Sequence, residues 1–306
     1  MTAINLLAAA GAAIFSFLPT LLAAYVPDLL KGTYNYRFLW LLAFTLNLIW
    51  LNIPGRFDTP IRDKDSKIQK FQPKSAFRTC FVPAGWTFAI WGLIYASETL
   101  VTLYVVFFST SLGAKALGVV KMASIYWFAG NIYQALWCIF FREEFRSQIY
   151  LSVSMLGAAA FSLVLLEMQL SEGIDAICNH DRFILNLINA SITMHAAWLV
   201  AATLVNLNIL ISIYGFSADM QLKGGFASAI FGLMVGMYLC YTTKNVFYGL
   251  TFAWAFYGLS VKTLNDSDVV SIIGNKDVTA LGKFEQFAFL LLLVVSTNIA
   301  MTMANR

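Results

Sequence analysis

Long apolar runs, each closed by charge, Gly or Pro, follow one another from end to end of the chain. Nine of them are long enough to be candidate membrane helices, at about 4–26, 38–54, 86–108, 120–141, 149–170, 184–213, 225–243, 246–262 and 284–304. The sixth run exceeds a single crossing, so its start lies in the interface or the helix tilts. Only a short gap around Lys244 divides runs seven and eight, which also read as one broken helical hairpin. The first run contains Pro19 and has no Lys or Arg before Lys31. It therefore reads as a retained helix rather than a cleaved secretory signal, which wants a basic start.

Composition agrees with that pattern and narrows it. Of 306 residues, 59% are hydrophobic types and only 12% are charged, with a mean hydropathy of +0.72. A soluble domain carries about 25% charged residues, so this chain cannot clothe a water-facing surface and its solvent is lipid. The expected fold is an all-α polytopic membrane bundle of about nine transmembrane helices, with membrane lipids as its surroundings. The net charge of +4 carries no aromatic interleaving of the kind a nucleic-acid surface needs. Cys80, Cys138, Cys178 and Cys240 form no CxxC pair and read as free thiols.

Charge also sets orientation. The loop 55–85 holds Arg56, Arg62, Lys64, Lys67, Lys70, Lys74 and Arg78. Nine crossings would place thirteen basic residues on the face of that loop and seven on the other. Basic residues accumulate on the cytoplasmic side, which puts loop 55–85 there. The loop reads either as a solvated linker or as a lid, and its basic side chains suit anionic headgroups.

Candidate chemistry sits inside the runs. At about 1.5 Å per residue, Trp50, Trp91, Trp137 and Trp198, on four different runs, fall in one half of the bilayer. Two readings stand: walls of a pocket for a flat apolar ligand that stacks on indole faces, or an interfacial belt. Trp86, at a helix start, fits the belt. Glu98 lies mid-span, where an ionised side chain costs about 3 kcal/mol or more. His195 and Asn131 share its depth, so the three can form one buried network or a ligand- or proton-handling site. Asn47, Asn189 and Asn206 read as helix–helix glue. The runs Gly157-Ala-Ala-Ala160 and Gly232-x-x-x-Gly236 fit close packing. There is no phosphate loop, no HExxH and no nucleophile elbow. Two histidines are too few for a typical metal site. No enzyme is expected.

The stretch Phe81-Val-Pro-Ala-Gly-Trp-Thr-Phe-Ala-Ile-Trp-Gly-Leu-Ile-Tyr95 opens the third run. Trp198-Leu-Val-Ala-Ala-Thr-Leu-Val-Asn206 lies in the sixth, Asn131 in the fourth, and Asn245-Val-Phe-Tyr-Gly-Leu-Thr-Phe-Ala-Trp-Ala-Phe-Tyr-Gly258 in the eighth. Together these resemble the tryptophan-rich sensory protein family, also called the translocator or peripheral benzodiazepine-receptor family, in its longer multi-span type. His195 stands where the family usually has Tyr, Gln134 where it has Trp, and Glu98 is an acid the family does not usually carry. The resemblance implies a five-helix core over 38–213, preceded by an extra N-terminal helix (1–37) and followed by a three-helix extension (214–306). It implies a porphyrin or sterol bound beneath loop 55–85. Residues and resemblance together give the candidate ligand set Trp50, Trp86, Trp91, Tyr95, Glu98, Asn131, Trp137, His195, Trp198 and Asn206. Three functions follow: a binding or sensing protein, a proton-coupled transporter using Glu98, or a structural subunit of a larger membrane complex. A pairing of two copies fits the last.

Overall fold

The computed structural model describes residues 36–57, 79–174, 177, 179–265, 271 and 274–304. The predicted helix 4–26, most of the basic loop and Cys178 lie outside the described residues. The described chain forms eight α-helices: α1 (Tyr36–Asn52), α2 (Ile90–Phe107), α3 (Ala114–Phe140), α4 (Ile149–Ile174), α5 (Asn179–Ile213), α6 (Ala218–Thr243), α7 (Val246–Asn265) and α8 (Asn275–Ala304). They follow the eight predicted runs from 38 onward, in an all-α membrane bundle.

Nine crossings are not shown. Among the described residues, five helical stretches are long and apolar enough to cross a membrane, at 85–107, 143–174, 180–213, 218–243 and 276–304. The other three, α1, α3 and α7, fall short on length or hydropathy. In α3 the reason is visible: Ser124, Asn131 and Gln134 are fully buried and face neighbouring helices rather than lipid. Several helices also begin five to nine residues before their apolar runs. A run marks the thickness of hydrocarbon, whereas the backbone goes on hydrogen bonding into the interface. The start of α3 is capped from a distance, since the Gly113 N–H donates to Asp181 Oδ2 of α5 at 2.8 Å.

Two linked halves make up the bundle. α1 packs on α3, α3 on α4, and α4 on α5, while α6, α7 and α8 pack on one another and reach α5 through α6 and α7. α2 rests on α1 and α5. Lipid is as apolar as Leu, so hydrophobicity alone does not drive helices together. Polar contacts and close approach do. Trp40 stacks on Trp127 at 4.4 Å, and its indole N–H donates to Ser124 Oγ at 2.8 Å. Asn47 Nδ2 donates to Asn131 Oδ1 at 2.9 Å and to Gln134 Oε1 at 2.7 Å. Between α7 and α8 the approach is so close that a Cβ on Gly249 would meet Ser296 Oγ.

Runs seven and eight are separate helices. Lys244 and Asn245 alone divide them, and Lys244 takes the left-handed conformation at φ 53°. Asn245 caps α7, its Oδ1 accepting the Phe247 N–H at 3.1 Å. The start of loop 55–85 is pinned to the end of α3: the Phe57 N–H donates to Phe141 O at 3.1 Å, and Arg142 Nη1 to Pro54 O at 3.1 Å.

Replacing Asn47 by Leu keeps the branching and the number of side-chain heavy atoms and strands two buried acceptors on α3. Its expected effect is a loss of about 1–3 kcal/mol, seen as a lowered thermal midpoint in detergent. An unchanged midpoint would remove Asn47 as the tie between α1 and α3.

Candidate functional site

Before α2 the chain does not simply enter a helix. Residues 79–81 bend, and 82–84 lead into a 3₁₀ turn, Gly85–Ala89, and only then into α2. This segment lies as a strap along α7. The Ala84 N–H donates to Gly258 O at 2.9 Å, and the Trp254 indole N–H donates to Thr87 O at 2.9 Å. Glycine is needed at 258 because a Cβ there would collide with the Thr87 side chain. Trp86 stands edge-on to Trp254 at 5.0 Å and lies 5.4 Å from Tyr257. Pro83 withholds a backbone donor in this stretch.

Behind the strap lies a cavity walled by five helices, α6 contributing Gly232. Phe81, Pro83 and Phe88 come from the strap, Trp91 from α2, Trp137 from α3, Trp198 and Asn206 from α5, and Phe252 and Phe256 from α7. Its free volume is about 40 Å³. The site is a narrow apolar slot rather than a chamber. Trp91 and Trp198 meet at right angles, 6.1 Å apart, and Phe88 stands edge-on to Trp198 at 5.8 Å. Trp137 stacks on Phe141 at 5.2 Å, with the Arg56 guanidinium 5.5 Å from its ring centre.

Polar atoms in the wall are few. Asn206 faces the slot, but its Oδ1 accepts from Trp137 Nε1 (3.2 Å) and Ser152 Oγ (3.0 Å), while its Nδ2 donates to Ala202 O. It therefore braces the wall. The Trp198 indole N–H is buried and lacks a partner, so an acceptor on a ligand would satisfy it.

Beside the slot sits a buried acid–base pair. His195 Nδ1 lies 2.6 Å from Glu98 Oε1, and both side chains are fully enclosed. Glu98 Oε2 and His195 Nε2 have no partner. The imidazole touches the rings of Trp91 (5.6 Å) and Tyr95 (6.0 Å), which stack on each other at 5.3 Å. Asn131 does not join the pair. It belongs to a second network with Asn47 and Gln134, and Gln134 Nε2 donates to the Tyr95 hydroxyl at 2.8 Å. Tyr95 thus bridges the two networks.

Of the ten candidate residues, Trp91, Trp137, Trp198 and Asn206 line the slot. Tyr95, Glu98 and His195 stand directly behind Trp91. Trp50 packs on the core away from the lining, and Trp86 is 42% exposed on the outer side of the strap. The slot-lining phenylalanines and the α7 wall are not among the ten. The motif Asn245–Gly258 was the available signal, since it carries Phe252 and Phe256. α7 lies outside the core 38–213 that the resemblance outlined.

At the strap's start, Cys80 is buried against Gly225 and bonded to Gln221 O at 3.2 Å. Burial, aided by the nearby Glu285 carboxyl, pushes its thiol up to about 12. At pH 8 the thiolate is then about one part in ten thousand. In a Cys178→Ser background, Cys80 is expected to stay unlabelled by N-ethylmaleimide at pH 8 and to label once the protein is unfolded. Peptide mass spectrometry reads the difference.

The family model described as TSPO-like protein matches residues 64–303, from the basic loop into α8. No curated protein and no solved structure matches the chain.

Proposed function

The chain belongs to the TSPO-like protein family, and from that we propose that it binds a planar apolar ligand, a tetrapyrrole or a sterol, in the slot behind the strap. One observation carries this reading: tryptophans from α2, α3 and α5 converge on a single apolar cavity. Indole faces stack flat ring systems, and the lone Trp198 N–H supplies a directional contact. Ligand pockets usually enclose about 300–1,000 Å³, far above the free space here. Binding therefore requires the strap and α7 to part. Loop 55–85, continuous with the strap, lies on the cytoplasmic side by its excess of basic residues. The role that follows is sensing or carriage of the ligand within the membrane.

The Glu98–His195 pair supports a second reading, proton-coupled transport. Two titratable groups in direct contact at mid-span, beside the slot, are costly to keep without function.

Protoporphyrin IX is expected to quench tryptophan fluorescence of the detergent-solubilised protein saturably in the micromolar range. Trp91→Ala and Trp198→Ala should each weaken binding about tenfold or more, the loss of a stacked aromatic contact and its area. Glu98→Gln should leave affinity nearly unchanged. Quenching indifferent to both tryptophan substitutions sinks the tetrapyrrole reading. Flux across liposomes abolished by Glu98→Gln, with binding intact, selects transport over sensing.

A further inference from the structure

The strap is anchored at its start as well as along α7, and the anchor encloses an acid. Cys80 forms a small apolar cluster with Val278 and Leu281 of α8, against which Leu222 and Phe226 of α6 pack. Strap, α6 and α8 meet at Gly225, where an added Cβ would lie 3.2 Å from Cys80 Sγ and 3.3 Å from Leu281 Cδ2. One turn beyond Leu281 on α8 stands Glu285, fully buried and close to Cys80. Thr263 of α7, also fully buried, faces it across the α7–α8 seam.

Neither carboxyl oxygen of Glu285 has a hydrogen-bond partner among the described residues, and neither does Thr263 Oγ1. The other buried acids are served. Glu98 meets His195, and Glu167 accepts from Ser171 and Tyr248. The titratable groups on the elements around Glu285 do not take that place. Cys80, with its thiol pushed up to about 12, is neutral at pH 7. Asp219 and Lys223 of α6 pair with each other at the surface. Lys276, Asp277 and Lys283 of α8 are exposed, and Lys262 of α7 is half-buried beside Thr263 in the chain.

A carboxylate stripped of both water and donors is costly, and such a group escapes the cost by taking a proton. One proton also completes the local bonding, because the carboxyl O–H can donate to the bare Thr263 Oγ1. Calcium or magnesium wants about six oxygens or more, against three from Glu285 and Thr263 together. We propose that Glu285 is a proton-binding site, and that opening of the slot releases its proton. The release rests on the ligand reading of the slot given above. A ligand that parts the strap from α7 uncovers the seam beside Cys80, and water reaches the carboxyl. The carboxyl O–H bond then breaks, the proton passes to water, and the carboxylate stays hydrated, as a glutamate in water does at neutral pH. Linkage works in both directions: a ligand that releases a proton binds more tightly as pH rises.

Two readouts on the purified full chain in dodecylmaltoside test this. Infrared spectroscopy of the ligand-free protein at pH 7 should show the C=O stretch of an un-ionised carboxyl that Glu285→Gln removes. Spectra of parent and variant that agree in this band overturn the proton site. Should Glu285→Gln not fold, Thr263→Val must shift the same band, and an unmoved band overturns the site. Isothermal titration with protoporphyrin IX, in buffers of different ionisation enthalpy, counts the protons released. The parent should release about one more proton per bound ligand than Glu285→Gln. Equal counts overturn the coupling. A parent that does not bind protoporphyrin IX at all removes the ligand reading and the coupling with it, and leaves the infrared band to decide the proton site.

Discussion

A polar group buried among apolar helices in lipid has no water to fall back on, and this single constraint orders the structure. Each unsatisfied donor or acceptor costs about 1–3 kcal/mol, so polar side chains must find one another across helices. Asn47, Asn131 and Gln134 do so between α1 and α3. Glu98 and His195 do so between α2 and α5. Glu167 gathers Ser171 and Tyr248 around it, with Asn189 and Asn245 close by. These three clusters fix which helices are neighbours, where apolar contact alone would leave many packings of similar energy.

The proposed site is shaped by what the clusters leave between them. α2 is fastened through the Glu98–His195 pair, and through Ser97, whose hydroxyl meets that of Ser191 at 2.8 Å. Its N-terminal end instead depends on the strap and α7. There the fastening is a backbone hydrogen bond, one indole N–H and an intimate contact that only glycine allows. The slot therefore sits beside a seam held by two hydrogen bonds and close backbone approach. On the proposed reading, a ligand larger than the slot's free volume enters by parting this clasp.

Much of this was legible in the sequence, and the rest was hidden for definite reasons. Apolar runs located eight helices because hydrocarbon thickness sets their length. Depth counting brought Glu98, His195 and Asn131 to one level. Depth gives height along a helix but not direction around it, so it could not separate Asn131 from the pair, nor Trp50 from the slot. Phe81, Phe252 and Phe256 carry no polar cue, and a phenylalanine facing a cavity reads like one facing lipid. Glu167 escaped notice because it falls near the end of its apolar run, where an acid suggests a helix terminus. The helix in fact continues to Ile174. Glycine at 258 became meaningful only once α7 and the strap were seen in contact, 171 residues apart along the sequence from Thr87 to Gly258.

The most direct test of the account is amide hydrogen exchange with and without protoporphyrin IX. Ligand entry behind the strap must disturb the Ala84-to-Gly258 hydrogen bond. Protection at Ala84 and Thr87, and along the slot wall from Trp198 to Ile209, should therefore change on binding, while the stretch from Asn189 to Thr193, beside the Glu167 cluster, should not. Saturable binding with no change in the strap or the slot wall would contradict the account, and would move the ligand to the outer surface of the bundle.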